Sequence, residues 1–193
     1  MEKVFIHETA VVEDPSSLGD GVKVWHYCHV AKGCRIGAET SLGQNVYVAP
    51  GAVIGCRVKI QNNVSIYEGV EIEDDVFIGP SAVFTNVRTP RARVDRKAQY
   101  ETTLISRGAT IGANATIICG NTIGEYALVG AGTVVTKHVQ AHALVAGNPA
   151  LRIGWACRCG AKLSFDMACP ECGAVYCLDN NDVCFQLKLT SNE

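Results

Sequence analysis

The chain has little net charge and no long apolar run. Seventeen Lys and Arg oppose 19 Asp and Glu, leaving −2 at pH 7, which offers no basic excess for general nucleic-acid binding. Nowhere do 18 apolar residues run together, so no segment is expected to span a membrane. Residues 1–10 lack the basic and apolar blocks of a secretory leader. Histidine is sparse as well. Five are present and none lies between His29 and His138, which excludes a metal site built from three histidines on adjacent stretches. Ten cysteines are many, but four of them cluster at metal-ligand spacing. That arrangement favours a reducing cytoplasm over a disulfide framework.

What the chain has is a period of six. Fourteen consecutive positions spaced six apart are apolar, from Ile6, Val12, Leu18 and Val24 through to Ile72, Ile78 and Phe84, with no residue inserted or lost. At 48% hydrophobic content, chance gives such a run roughly 3 times in 100,000 for a given register. Neither a helical period nor strand alternation produces it. A hexapeptide β-helix does, because each hexad supplies one short strand and one turn, and three hexads close a triangular coil. Glycine follows the apolar residue at Gly19, Gly37, Gly43, Gly55 and Gly79, where a corner needs φ > 0 or close backbone approach. The fifth position is small or β-branched, as a narrow prism requires. After an interruption the pattern returns at Ile105, Ile111, Ile117, Ile123, Val129 and Val135. The expectation is an all-β parallel β-helix of six to seven coils over residues 1–154, roughly 30 Å tall at the usual strand spacing.

A small appendage follows over residues 155–185, then a tail over 186–193. Cys157 and Cys159 form one knuckle, and Cys169 and Cys172 form a second after nine intervening residues. Two tight turns of this kind place four sulfurs around one point, which suits a closed, structural zinc ribbon. Cys177 and Cys184 remain substitute ligands. Cys28 and Cys34 sit at fifth positions as small core residues, whereas Cys56 and Cys119 fall outside the register and should be partly exposed.

Between Phe84 and Ile105 lie 20 residues where a continuous coil would have five. A long loop thrown out of a rigid solenoid is a candidate functional element. Arg88, Arg91, Arg93, Arg96 and Lys97 fall within ten positions of it. Arginine matches diphosphate and carboxylate with paired donors, so the loop reads as an anion clamp.

The hexads, the loop opening of 84–90 and the closing segments 129–137 and 144–150 resemble the left-handed β-helix acyltransferases that use acetyl-CoA. Within that superfamily the chain is most similar to the N-acetyltransferases of nucleotide-linked 3-amino sugars. Segments 24–30, 42–48 and 60–70 resemble the branch acting on UDP-2-acetamido-3-amino-2,3-dideoxyglucuronate in bacterial O-antigen or capsule synthesis. Cysteine-rich tails like 155–175 also occur in that branch.

The resemblance implies the left hand of the coil and a homotrimer with active sites between subunits. It implies an orienting role for Asn86 at the amine, and it makes His26, Gln61, Asn62 and Tyr67 contacts to the sugar nucleotide beside Arg88 and Arg91. Coenzyme A would run past Gly112, Ala113, Gly130 and Ala131, with Lys137 and Arg152 toward its phosphates. Many superfamily members use a histidine base from the loop, yet residues 85–104 contain none. A weakly basic sugar amine could instead arrive neutral and pass its proton to the departing sulfur. His138 reads as a surface substitution. Two alternatives stay open: a dTDP-linked 3-amino-6-deoxyhexose as substrate, and a scaffold without catalysis.

Overall fold

The computed structural model describes residues 3–179 and 182–186; the tail expected over 186–193 lies outside these residues but for Gln186. Two-residue strands wind into a three-faced parallel solenoid. On the first face, Phe5–Ile6, Lys23–Val24, Ser41–Leu42, Lys59–Ile60, Phe77–Ile78, Thr110–Ile111, Leu128–Val129 and Ala143–Ala146 stack in order, and Leu151–Trp155 adds an antiparallel ninth strand. The second face carries Val11–Val12, His29–Val30, Tyr47–Val48 and Ser65–Ile66, then Val83–Phe84, Thr116–Ile117 and Val134–Val135. The third runs from Arg35–Ile36 through Val53–Ile54, Val70–Ile72 and Thr103–Ile105 to Thr122–Ile123, with bridges at Leu18 and Val139 extending it.

Eight parallel strands on one face make about eight turns, one rung above the hexad count. The extra rung comes from a shortened last coil. Val129 pairs with Val145, and Ile123 bridges Val139, so the spacing there contracts and Val145 falls outside the six-residue register.

The two-residue strands turn their first residue outward and their second inward, so Lys23 is exposed and Val24 fully buried. The inward column from Val24 through Leu42, Ile60, Ile78, Ile111 and Val129 is buried throughout, each such side chain contributing about 1.5–3 kcal/mol. At the open N-terminal end the same register is less protected, and Ile6 stays 37% exposed. Fifth positions fill the remaining space, and after the loop they shrink to Ala109, Ala115 and Ala127.

The glycines divide between the two roles expected of them. A Cβ on Gly37 would stand 2.5 Å from the carbonyl carbon of Gly55, and one on Gly79 would stand 2.6 Å from the nitrogen of Ala113. These glycines let one coil's backbone lie on the next. Positive φ is carried elsewhere: by Asn45, Asn63 and Asn114 at the first corner, and by Gly33, Gly51, Gly69 and Gly120 at the second.

The long loop leaves the second corner after Val83–Phe84, holds a short 3-10 turn at Lys97–Gln99, and returns to Thr103–Ile105. The ladder is unbroken across it, because Ile72 pairs with Ile54 below and Ile105 above. At the far end a second small core forms around Cys157, Leu163, Cys169 and Tyr176, and Trp155 packs against both clusters. His142 fastens the junction: its ring N–H donates to the Ala156 carbonyl at 2.8 Å while its own carbonyl accepts Ala156 N–H at 2.7 Å. Burial holds this imidazole below its ordinary pKa.

Replacing Gly37 by alanine should cost about 1–3 kcal/mol by forcing adjacent coils apart. Denaturant unfolding should show that loss, and an unchanged midpoint would refute the close-approach role.

Candidate active site and cysteine cluster

The three-sided winding sorts the candidate residues onto separate edges. Residues 26, 44, 62, 80, 113 and 131 follow first-face strands and stack at the first corner, each coil's N–H reaching the carbonyl of the coil before: Asn45 to His26, Asn63 to Gln44, Ser81 to Asn62, Asn114 to Pro80 and Gly132 to Ala113. His26, Gln61 and Asn62 therefore share one edge with Gly112, Ala113, Gly130 and Ala131. Trp25, His26, Gln44, Gln61 and Asn62 line one groove there. The Asn62 carboxamide oxygen accepts Gln44 N–H at 2.9 Å. The His26 ring lies 3.6 Å from that of His7. Trp25, Gln44 and His7 were not among the sequence candidates. Gln44 was findable, since it lies one full coil of 18 residues from both His26 and Asn62.

Tyr67 and the loop occupy the second corner. Tyr67 packs edge-on against Tyr47 at 6.4 Å, and Tyr47 lies 5.5 Å from His29, forming an aromatic column up the second face. Within the loop, Asn86, Arg91, Arg93, Arg96, Lys97 and Tyr100 line a common hollow. Arg91 donates to the Pro90 carbonyl at 3.1 Å. Arg96 donates to Gln99 at 2.8 Å, while its Nε is buried without a partner. Arg88 is held differently: its Nε meets both Glu101 carboxylate oxygens at 2.8 and 3.0 Å, and its Nη2 reaches the Cys119 carbonyl. Cys119 is accordingly buried rather than partly exposed. Its N–H donates to Thr85 Oγ1, so the base of the loop covers it.

Lys137 and Arg152 line a third cleft, with His138 and Gln140, at the closing end of the solenoid. Arg152 stacks 4.3 Å over Trp155 and donates to Gln140 at 2.9 Å. His138 Nδ1 accepts Thr122 N–H at 2.9 Å. The six coenzyme A candidates thus split between the first corner and this cleft.

In the appendage the four expected sulfurs converge. Cys157, Cys159, Cys169 and Cys172 place their Sγ atoms within 4.8 Å of one another. Two of the separations, Cys157 to Cys172 and Cys159 to Cys169, are 3.5 Å. Four thiolates at about 2.3 Å from a tetrahedral zinc would lie about 3.8 Å apart, so the donor set fits that ion. The Cys172 N–H lies 3.5 Å from Cys169 Sγ, and backbone donation draws the Cys169 thiol down to about 6. Cys177 is disulfide-bonded, which removes it as a substitute ligand.

Two repeat descriptions match the chain: the bacterial transferase hexapeptide (six repeats) over 15–50 and 51–86, and the hexapeptide repeat of succinyl-transferase over 33–68 and 105–137. Together they span more than half of it. The chain belongs to the bacterial hexapeptide-repeat transferases.

Relatives within and around this family are similar over parts of the chain. A dTDP-3-amino-3,6-dideoxy-α-D-galactopyranose 3-N-acetyltransferase of Aneurinibacillus thermoaerophilus is 50% identical over 76 residues, 38% of this chain and 40% of that one. The bifunctional protein GlmU of Heliobacterium modesticaldum is 29% identical over 147 residues, 72% of this chain and 31% of that protein. The chain therefore spans less than half the length of either. A hexapeptide-repeat acetyltransferase of Vibrio cholerae O1 biovar eltor, solved with acetyl coenzyme A, superposes with a TM-score of 0.56 at 28% identity, covering 64% of this chain and 70% of that one. The acetyltransferase domain of PglB from Neisseria gonorrhoeae shares the fold, with a TM-score of 0.57 at 21% identity over 78% of this chain and 57% of its own. Among the described residues no helix is long and apolar enough to cross a membrane.

Proposed function

We propose that the protein is an acetyl-CoA-dependent N-acetyltransferase acting on the 3-amino group of a nucleotide-linked sugar in the cytoplasm. The observation that carries this reading is the 50% identity, over 76 residues, to a 3-N-acetyltransferase of a dTDP-amino sugar. The likeness to a hexapeptide-repeat acetyltransferase solved with acetyl coenzyme A supports the donor. For the sugar itself we propose UDP-2-acetamido-3-amino-2,3-dideoxyglucuronate. A loop hollow lined by Arg91, Arg93, Arg96 and Lys97 suits a substrate bearing a carboxylate besides its diphosphate. The named relative favours a second reading, a dTDP-linked 3-amino-6-deoxyhexose.

The sugar amine attacks the thioester carbonyl, an oxyanion develops, and coenzyme A leaves as the thiolate. Holding the two reactants in line accounts for much of the acceleration. The loop holds no histidine, so Asn86 orients the amine by hydrogen bonding and the departing sulfur takes the proton. His26, Gln61, Asn62 and Tyr67 contact the sugar nucleotide, and Arg91 its anionic groups. The pantetheine arm lies along Gly112, Ala113, Gly130 and Ala131, where small residues admit a ligand close to the backbone. Lys137 and Arg152 face the phosphates. Because the loop and the small-residue edge flank opposite sides of the second face, a homotrimer would bring the loop of one subunit onto the small-residue edge of the next.

The Cys157, Cys159, Cys169 and Cys172 cluster holds one structural zinc. The ion cross-links the two knuckles, and its four sulfur ligands leave no position open for substrate.

Asn86→Ala should lower turnover about 10- to 100-fold, with roughly 1.4 kcal/mol for each tenfold step, and leave both Michaelis constants nearly unchanged. Arg91→Ala should instead raise the Michaelis constant for the UDP-uronate roughly 10- to 150-fold, the scale of one charge-assisted hydrogen bond, while sparing that for acetyl-CoA. Thiol-release kinetics separate the two. Equal effects of Arg91→Ala on both substrates would contradict the anion assignment, and no amine-dependent thiol release from the unmodified enzyme would contradict the function.

Metal analysis should find about one zinc per chain. Cys169→Ser should lose it and loosen the appendage without unfolding the coils. Zinc retained in that variant would remove Cys169 from the site.

A further inference from the structure

The neck of the long loop is closed by one residue twice over. The backbone N–H of Glu101 donates to the Asn86 carbonyl at 3.0 Å. The carboxylate of the same residue takes Arg88 Nε at 2.8 and 3.0 Å, and Arg88 Nη2 carries the contact on to the Cys119 carbonyl at 3.0 Å. Thr85 Oγ1 accepts the Cys119 N–H at 2.9 Å. Both polar backbone groups of Cys119 are thereby taken by the outgoing limb of the loop, and Glu101 joins the returning limb to it.

This arrangement depends on a gap in the coil beneath. Gly120 has φ +79°, and a Cβ there would collide with Glu101 Oε2 and stand 2.8 Å from Arg88 Nη2. Its N–H donates to the Thr102 carbonyl at 3.1 Å, so the coil grips the returning limb at the next residue as well. Glycine at 120 thus provides the slot in which the ion pair is seated.

We propose that Glu101 is a positioning residue for the transfer reaction. Through Arg88 it clasps the loop onto Cys119 and Gly120 and fixes Asn86, its backbone partner across the neck. The proposal rests on the assignment of Asn86 to the substrate amine. It gives Arg88 a role different from the anion contact expected of the loop arginines. If Arg88 met the substrate, Glu101 would compete with that substrate for it; if Arg88 is half of the clasp, the two residues act as one unit.

These roles predict opposite signs. With a clasp, Glu101→Gln and Arg88→Ala should both lower turnover while leaving the Michaelis constant for acetyl-CoA unchanged, and the double variant should lose little more than the worse single one. With a substrate-binding Arg88, Glu101→Gln would release the guanidinium and lower the Michaelis constant for the nucleotide sugar, whereas Arg88→Ala would raise it.

A second measurement does not require activity. Amide hydrogen exchange in residues 86–101 should rise roughly 5- to 10-fold in Glu101→Gln, the scale of a half-exposed ion pair with its neck hydrogen bond, with the coils on either side unaffected. Gly120→Ala should reproduce the rise by filling the slot. Gly33→Ala, also at the second corner with φ +87° but with nothing within 4 Å of the added Cβ, should leave the loop as it was. Unchanged exchange in Glu101→Gln, or faster exchange with normal turnover, would overturn the proposal. If no amino sugar supports transfer in the parent enzyme, the functional reading fails while the exchange result still judges the clasp.

Discussion

The whole molecule depends on the hydrogen-bonded stacking of one coil on the next. Strands of two residues have almost no stability of their own. They persist because each outward N–H and carbonyl pairs with a neighbouring coil, as Lys23 does with Thr40 and Trp25 with Leu42. That ladder tolerates no slip. A shift of one residue would turn Val24, Leu42 and Ile60 toward solvent and Lys23 and Lys59 into the prism. The same stacking demands bare backbone where coils touch, which is why Gly37 and Gly79 stand where they do.

A framework so tightly specified leaves the corners and the long loop as the segments free to vary. At the first corner, successive coils set His26, Gln44 and Asn62 above one another at 18-residue intervals, and the same edge thins to Ala113, Gly130 and Ala131 further along. At the second corner the chain departs for the loop without disturbing the ladder, since Ile72 and Ile105 remain paired. Carrying five basic residues on an excursion outside the core keeps them clear of the apolar prism, where an unpaired charge would be costly.

The inward column was legible because burial imposes a strict period on residue type. The cysteine knuckles were legible because ligand spacing is local. Other features depend on which segments meet in three dimensions. Cys119 is covered by Thr85 and Arg88, which precede it by 34 and 31 residues, and the clasp of Arg88 and Glu101 above Gly120 joins three positions that no local pattern links. The last coil was hidden for another reason: its spacing contracts between Val135 and Val139, so the six-residue count stops one rung early. Gln44 was visible in principle, because the 18-residue coil, rather than the hexad, is the period that brings corner residues together.

We propose that the coils carry the fold and the excursion carries the function. Deleting residues 87–101 restores the six-residue spacing from Phe84 to Ile105 and tests that claim directly. The shortened chain should keep its β-sheet circular dichroism and its cooperative thermal transition while losing amine-dependent release of coenzyme A. A deletion that unfolds the solenoid would make the loop part of the framework, and one that still transfers acetyl groups would place the catalytic machinery elsewhere.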